Sequence, residues 1–133
     1  MAILFNKVPR KAPKSQVAKF YVVPKMVKLA NLRDISKRVA KNTTMSPQEV
    51  EMVLNSFVEE LQTMLLDSYS VRLGDWASFR VTVNSAGSDT KKDCTPLLIK
   101  RVNVRCMFSD EFKERMQHAE WVDAGKVHTT DPQ

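Results

Sequence analysis

Between Ser46 and Phe108 the spacing of apolar residues changes once, from a period near 3.6 to a period of 2, and such a chain must segregate helices from strands. The helical part has a sharply marked start. Ser46 can act as N-cap, Pro47 suits the first helical position, and Glu49 three residues after the cap completes a capping box. Val50, Val53, Leu54, Phe57, Val58, Leu61, Met64 and Leu65 then form one wide apolar stripe, with Glu51, Glu59, Glu60 and Gln62 largely off it. That is wider than a short partner helix requires. Part of it is expected to lie against a second subunit, the alternative being that this chain alone covers it.

After Asp67 the alternation sets Val71, Leu73, Phe79, Val81 and Val83 on one face and Arg72, Arg80, Thr82 and Asn84 on the other, with a turn at Gly74-Asp75. The stretch SAGSDTKKDCTP, residues 85–96, is polar and turn-rich and should project as a loop. A further strand is expected at Ile99–Phe108, with Val102, Val104, Cys106 and Phe108 inward and Arg101, Asn103 and Arg105 outward.

The flanks are plainer. AILF at 2–5 and KFYVV at 19–23 read as a hairpin-like pair joined by a turn or mobile loop, KVPRKAPKSQVA, and Pro24 closes the second strand. A short helix from about Asn31 or Leu32 to Lys41 presents Leu32, Ile35 and Val39. Ser109 caps a last helix that carries Asp110 and Glu111 in its first turn and Phe112 and Met116 on a buried edge. Beyond Glu120, apart from Trp121 and Val122, the chain is polar and expected to fray. This divides the chain into a basic extension at 1–28, a main domain at 29–118 and a polar tail at 119–133.

Several classes of function are excluded. The three glycines, Gly74, Gly87 and Gly125, are too scattered for a glycine-built phosphate cradle. Cys94 and Cys106, even with His118 and His128, make no metal-ligand pattern, and no disulfide scaffold is expected. No Ser, His and acid constellation stands out, so the reading is a non-enzyme without cofactor, metal or small-molecule substrate. MAILFNKVPRK holds too short an apolar run for a signal-peptide core, and charges interrupt every run before membrane-spanning length. A cytoplasmic location with reduced thiols is expected.

Net charge is +6, unevenly spread. Met1 to Arg33 carries eight Lys or Arg and no acid, and Ser68 to Phe108 carries seven bases against three acids. The segments 34–67 and 109–133 each carry three bases against six acids. A polyanion would be sought on the two basic blocks.

The pattern V-x-L-x-x-aromatic-x-[ST]-F at Val71, Leu73, Trp76, Ser78 and Phe79, set after two helices and before a basic strand and closing helix, resembles the bacterial HU and integration host factor family. The resemblance covers roughly residues 30 to 117, and the β-prone start is similar to a variant HU branch with an N-terminal extension. It implies an α+β fold with two N-terminal helices, an antiparallel sheet with a projecting arm or loop, and a short C-terminal helix, preceded by an extra β segment. It also implies a homodimer whose sheets form a saddle with two arms embracing duplex DNA. This chain departs from that pattern in places. Asp75 and Ala77 stand where glycines are typical, and Ser109 and Asp110 replace a basic residue and a glycine. The arm lacks an Asn-Pro element, and its one proline, Pro96, lies past the tip, which leaves no wedge for intercalative kinking.

On this reading Arg80, Lys91, Lys92, Lys100, Arg101 and Arg105 contact phosphates, because alternation puts the three arginines on the non-core face of neighbouring strands. The plainer alternative is a charged sheet face that discourages edge pairing. Lys7, Arg10, Lys11, Lys14 and Arg72 are candidates for extra phosphate contacts. Phe57, Leu61, Leu65, Trp76 and Phe79 form the expected dimer core. The expected function is binding of double-stranded DNA with little sequence preference, organising it on the bacterial nucleoid. The rival is an HU-fold dimer that has lost DNA bending and serves protein interaction or assembly.

Overall fold

The computed structural model describes residues 1–14 and 16–126. In chain order the elements are β1 (Ala2–Arg10), β2 (Lys19–Pro24), α1 (Leu32–Ala40), α2 (Pro47–Leu66), β3 (Val71–Leu73), β4 (Ala77–Ser85), β5 (Ile99–Phe108), α3 (Asp110–Gln117) and β6 (Glu120–Asp123). Single 3-10 turns stand at Pro96–Leu98 and Ala124–Lys126. Among the described residues two compact units result: Leu32–Glu114 forms one, and those of 1–31 with those of 115–126 form the other.

In the Leu32–Glu114 unit, α2 begins as its sequence dictates. The Glu49 N–H donates to Ser46 Oγ at 3.2 Å, and the Ser46 N–H donates to a Glu49 carboxylate oxygen at 2.7 Å. The Ser46 backbone N–H holds the Glu49 carboxyl below its ordinary pKa. Its support of the helix is therefore complete at neutral pH and fades only as pH falls through that lowered value. At the far end the Tyr69 N–H donates to Met64 O (3.0 Å) and the Ser68 N–H to Leu65 O (3.2 Å), a Schellman closure with Ser68 at φ +69°.

Helix α1 lies against α2, and Leu32, Ser36 and Ala40, spaced one turn apart, are buried or half-buried on it. Ser36 is wholly buried, and its hydroxyl donates to Leu32 O at 2.8 Å, which satisfies the polar group while keeping the contact small. Ile35 and Val39, expected on the buried face, are instead exposed, because nothing in this unit covers the second half of the α1 stripe.

The sheet is antiparallel in the order β3-β4-β5, with Val71 opposite Phe79, Phe79 opposite Cys106, Val81 opposite Val104 and Val83 opposite Val102. Gly74 takes φ +54° in the β3–β4 turn, a conformation that favours glycine. The Ser109 N–H donates to Trp76 O (2.9 Å) and Ser109 Oγ accepts from the Phe112 N–H (3.2 Å), so the turn and the cap of α3 are tied together. Phe112 stacks on Phe108 at 5.0 Å between centroids. Met116, expected beside it, is exposed.

Among the described residues only two apolar side chains are buried, Val50 at 5% and Ala77 at 4% relative exposure. Val102 and Val104, expected to point inward, share one face with Val81 and Val83 yet stand 61% and 64% exposed. With Leu65, Leu66 and Tyr69 they line an open groove of about 690 Å³.

The other unit is a three-stranded sheet in the order β2-β1-β6. β1 pairs antiparallel with β2 from Phe5–Pro24 to Arg10–Lys19, and parallel with β6 from Ala2–Glu120 to Phe5–Asp123. Two expectations change here. β1 runs on through Lys7, Val8, Pro9 and Arg10, read above as loop. Residues 120–123, read as fraying tail, form a strand because Trp121 and Val122 find partners in Ile3 and Leu4. Residues 127–133, His128 among them, lie outside the described residues.

Candidate nucleic-acid interface

Strand alternation and register build one basic face on the β3-β4-β5 sheet. Arg80 lies directly opposite Arg105, Asn84 opposite Arg101, and Arg72 opposite Ser78. Residues of one parity share a face, so Arg72, Arg80, Arg101 and Arg105 all stand opposite to the valine face. Directly opposed Cα atoms are about 5 Å apart. Arg101 and Arg105 are separated along β5 by about 13 Å.

Like charges facing one another across strands weaken a sheet. Here no acid relieves them: among the described residues none of these four arginines has an ion-pair partner, whereas Lys7 in the other unit is paired with Asp123 at 3.6 Å. Guanidinium groups so exposed and unpaired offer forked donors that match phosphate oxygens. Thr82 and Asn103, an opposed pair of small polar residues between them, are half-buried. Thr82 Oγ1 is itself buried without a hydrogen-bond partner.

Lys91 and Lys92 sit at the end of the same ribbon, in a loop with its own bonding. Thr90 Oγ1 donates to Asp93 at 2.7 Å, Ser88 Oγ donates to Thr90 O at 2.8 Å, and the Cys94 N–H donates to Lys91 O at 3.2 Å. Both lysines are exposed. Lys100 lies apart from the arginines. It falls at the register shift beside Ser85, and its parity is that of Val102 and Val104. That bulge carries no signal in the sequence, since Ile99 to Phe108 reads as unbroken alternation.

The expected dimer-core residues are divided. Leu61, Leu65 and Phe79 are half-buried, and Phe57 on α2 is 39% exposed. Trp76 packs against Phe112 of α3, rings 6.2 Å apart and tilted, which makes it a helix-packing anchor within the chain. Phe108 and Phe112, which complete that cluster, were read only as inward or edge residues. In the other unit Lys7 is held by Asp123, whose carboxyl is lowered chiefly by the Gly125 N–H and further by Lys7 itself. Arg10, Lys11 and Lys14 are exposed at the far end of the β1–β2 hairpin.

Among the described residues no cluster of three His, Cys, Asp or Glu is placed to hold a metal ion, and Cys94 and Cys106 are free thiols. No described helix is long and apolar enough to cross a membrane.

A comparison with curated proteins gives no match. Among solved structures the chain is similar to a crystal structure from Bacteroides vulgatus ATCC 8482, described as a "putative bacterial DNA binding protein", with a TM-score of 0.61 and 10% sequence identity. The match covers 92% of this chain and 48% of that one, so the present chain spans about half of its length. At that identity the likeness is one of fold. A family model, described as an HU domain fused to wHTH, Ig, or glycine-rich motif, matches residues 1–122, nearly the whole sequence. Two helices, the turn at Gly74, a three-stranded sheet with one basic face and a capped closing helix, within a match of that extent, make this chain a member of the HU-HIG family.

Proposed function

We propose that the chain binds duplex DNA through backbone phosphates, with little sequence preference, and organises it as a homodimer on the bacterial nucleoid. The observation that carries this reading is the Arg72, Arg80, Arg101 and Arg105 face, opposed across strands and without carboxylates, continued by Lys91 and Lys92 at the ribbon end. Such a face needs anions from outside the chain. Family membership and the described role of the Bacteroides vulgatus protein favour DNA as that polyanion. The N-terminal β segment supports placement near the variant HU branch.

Exposed apolar surface supports the dimer. Val53, Phe57, Val58 and Met64 on α2, Ile35 and Val39 on α1, and the valine face of the sheet are exposed in one copy. A second copy presenting the same surfaces would cover them. Phosphate contacts position a protein on DNA without reading its sequence. The arm has no Asn-Pro wedge, so bending would come from wrapping rather than intercalation.

Competition tests the sequence independence. Unlabelled 30-base-pair duplexes of unrelated sequence are expected to displace a labelled duplex within about threefold of one another, since no base-specific term of about 1–3 kcal/mol per contact is at work. One duplex competing a hundredfold better than the rest would replace this reading with sequence recognition.

A further inference from the structure

We propose that the outer half of the β1–β2 hairpin is a second, separable contact site for duplex DNA, with Arg10, Lys11, Lys14 and Lys19 on backbone phosphates. The choice of polyanion rests on the reading above; the site rests on separate observations. β6 accompanies β1 only over Ala2–Phe5, whereas β2 pairs with it over Phe5–Arg10. Beyond Phe5 no third strand pairs with β1, and the hairpin runs on as a two-stranded ribbon about 17 Å long. A ribbon of that kind is marginal on its own in water. It is also narrow enough for the major groove, about 12 Å wide, which admits a two-stranded ribbon.

The charge is graded along this ribbon. At its inner end the acids of β6 stand beside β1, and Asp123 takes Lys7 at 3.6 Å. At its outer end Arg10 lies directly opposite Lys19, with Lys11 and Lys14 in the connecting loop, all exposed. No acid occurs anywhere from Met1 to Arg33. Two cations opposed across strands at a hairpin tip weaken it unless an anion lies between them.

Protection of an open strand edge would distribute charge differently. The exposed edge strand β2 carries no charge between Lys19 and Pro24, and there Phe20 is 71% exposed with Tyr21 and Val22 beside it. The cations are gathered at the tip and absent from the edge, which suits a polyanion rather than edge protection. Lys19 was outside the sequence-based candidates. Its pairing with Arg10 shows only once the register is known.

The test uses the full chain and a random-sequence 30-base-pair duplex titrated across a salt series. With Arg10→Gln, Lys11→Gln, Lys14→Gln and Lys19→Gln combined, affinity at 100 mM salt is expected to fall at least about tenfold. The slope of log K against log salt should flatten by roughly 3 to 4 per chain. A charge-keeping variant, Lys11→Arg with Lys14→Arg and Lys19→Arg, should bind like the wild type. A chain with Arg80, Arg101 and Arg105 changed to Ala should retain weak, salt-dependent binding that the ribbon changes remove. If the glutamine variant folds, by circular dichroism, and binds with wild-type affinity and slope, the ribbon site is refuted while the sheet-face reading stands. If the wild type fails to bind duplex even at low salt, both fall together.

Discussion

Changing Arg80, Arg101 and Arg105 together to Ala is expected to leave the chain folded and to lower its affinity for duplex DNA by about a hundredfold or more at low salt. The register is the reason. Arg80 faces Arg105 directly and Arg101 lies on the same face two alternations along β5, so the three are placed to meet one strip of phosphates together. Each lost phosphate contact should also reduce the salt slope by about 0.9, hence by about 5 for a dimer losing six. The fold should survive, because removing an opposed pair of like charges relieves the sheet by roughly 0.2–1 kcal/mol. An unchanged or slightly raised melting temperature beside a collapsed affinity separates loss of contact from loss of structure. Retained affinity in a folded triple variant would remove the arginine face from the mechanism.

Phe57→Asp is expected to abolish the dimer and most of the stability with it. Phe57 lies on the α2 stripe between Val53 and Leu61, 39% exposed in a chain that buries only Val50 and Ala77 among its described apolar residues. Removing a buried Phe side chain costs about 3–5 kcal/mol. Placing a carboxylate where a second copy should pack adds a desolvation penalty, and the symmetric assembly incurs both on each side. The wild type should sediment as a dimer, with a melting temperature that rises with protein concentration. The variant should sediment as a monomer and lose cooperative melting. A wild type that is monomeric and melts independently of concentration would contradict the dimer.

Helix starts and strand faces were legible because they depend on local chemistry. Ser46, Pro47 and Glu49 announce the α2 start within four residues, and the capping box forms as read. The alternation from Val71 to Val83 and from Ile99 to Phe108 assigns Arg80, Arg101 and Arg105 to one face without knowledge of register. Features set by distant partners were not legible. β6 is four residues long and holds together because Trp121 and Val122 pair with Ile3 and Leu4 from the opposite end of the sequence. Pro9 inside β1 reads as a breaker, yet it lies beyond the reach of β6, where one side of β1 is open and no ladder donor is needed. Lys100, grouped with the arginines, falls on the other face by the same alternation, that of Val102 and Val104. Ile35, Val39, Val102 and Val104 have the spacing of buried residues, yet nothing in their own unit covers them.

DNA binding by this chain stands or falls on whether exposed arginines without carboxylate partners bind phosphates, and salt is the most direct probe of that. Fluorescence-anisotropy titration of the wild type with a random-sequence 30-base-pair duplex should give a slope of log K against log salt at least as steep as about −5 per dimer. A flat response, or no binding at low salt, would contradict it and leave the chain as an HU-fold module for a partner other than DNA.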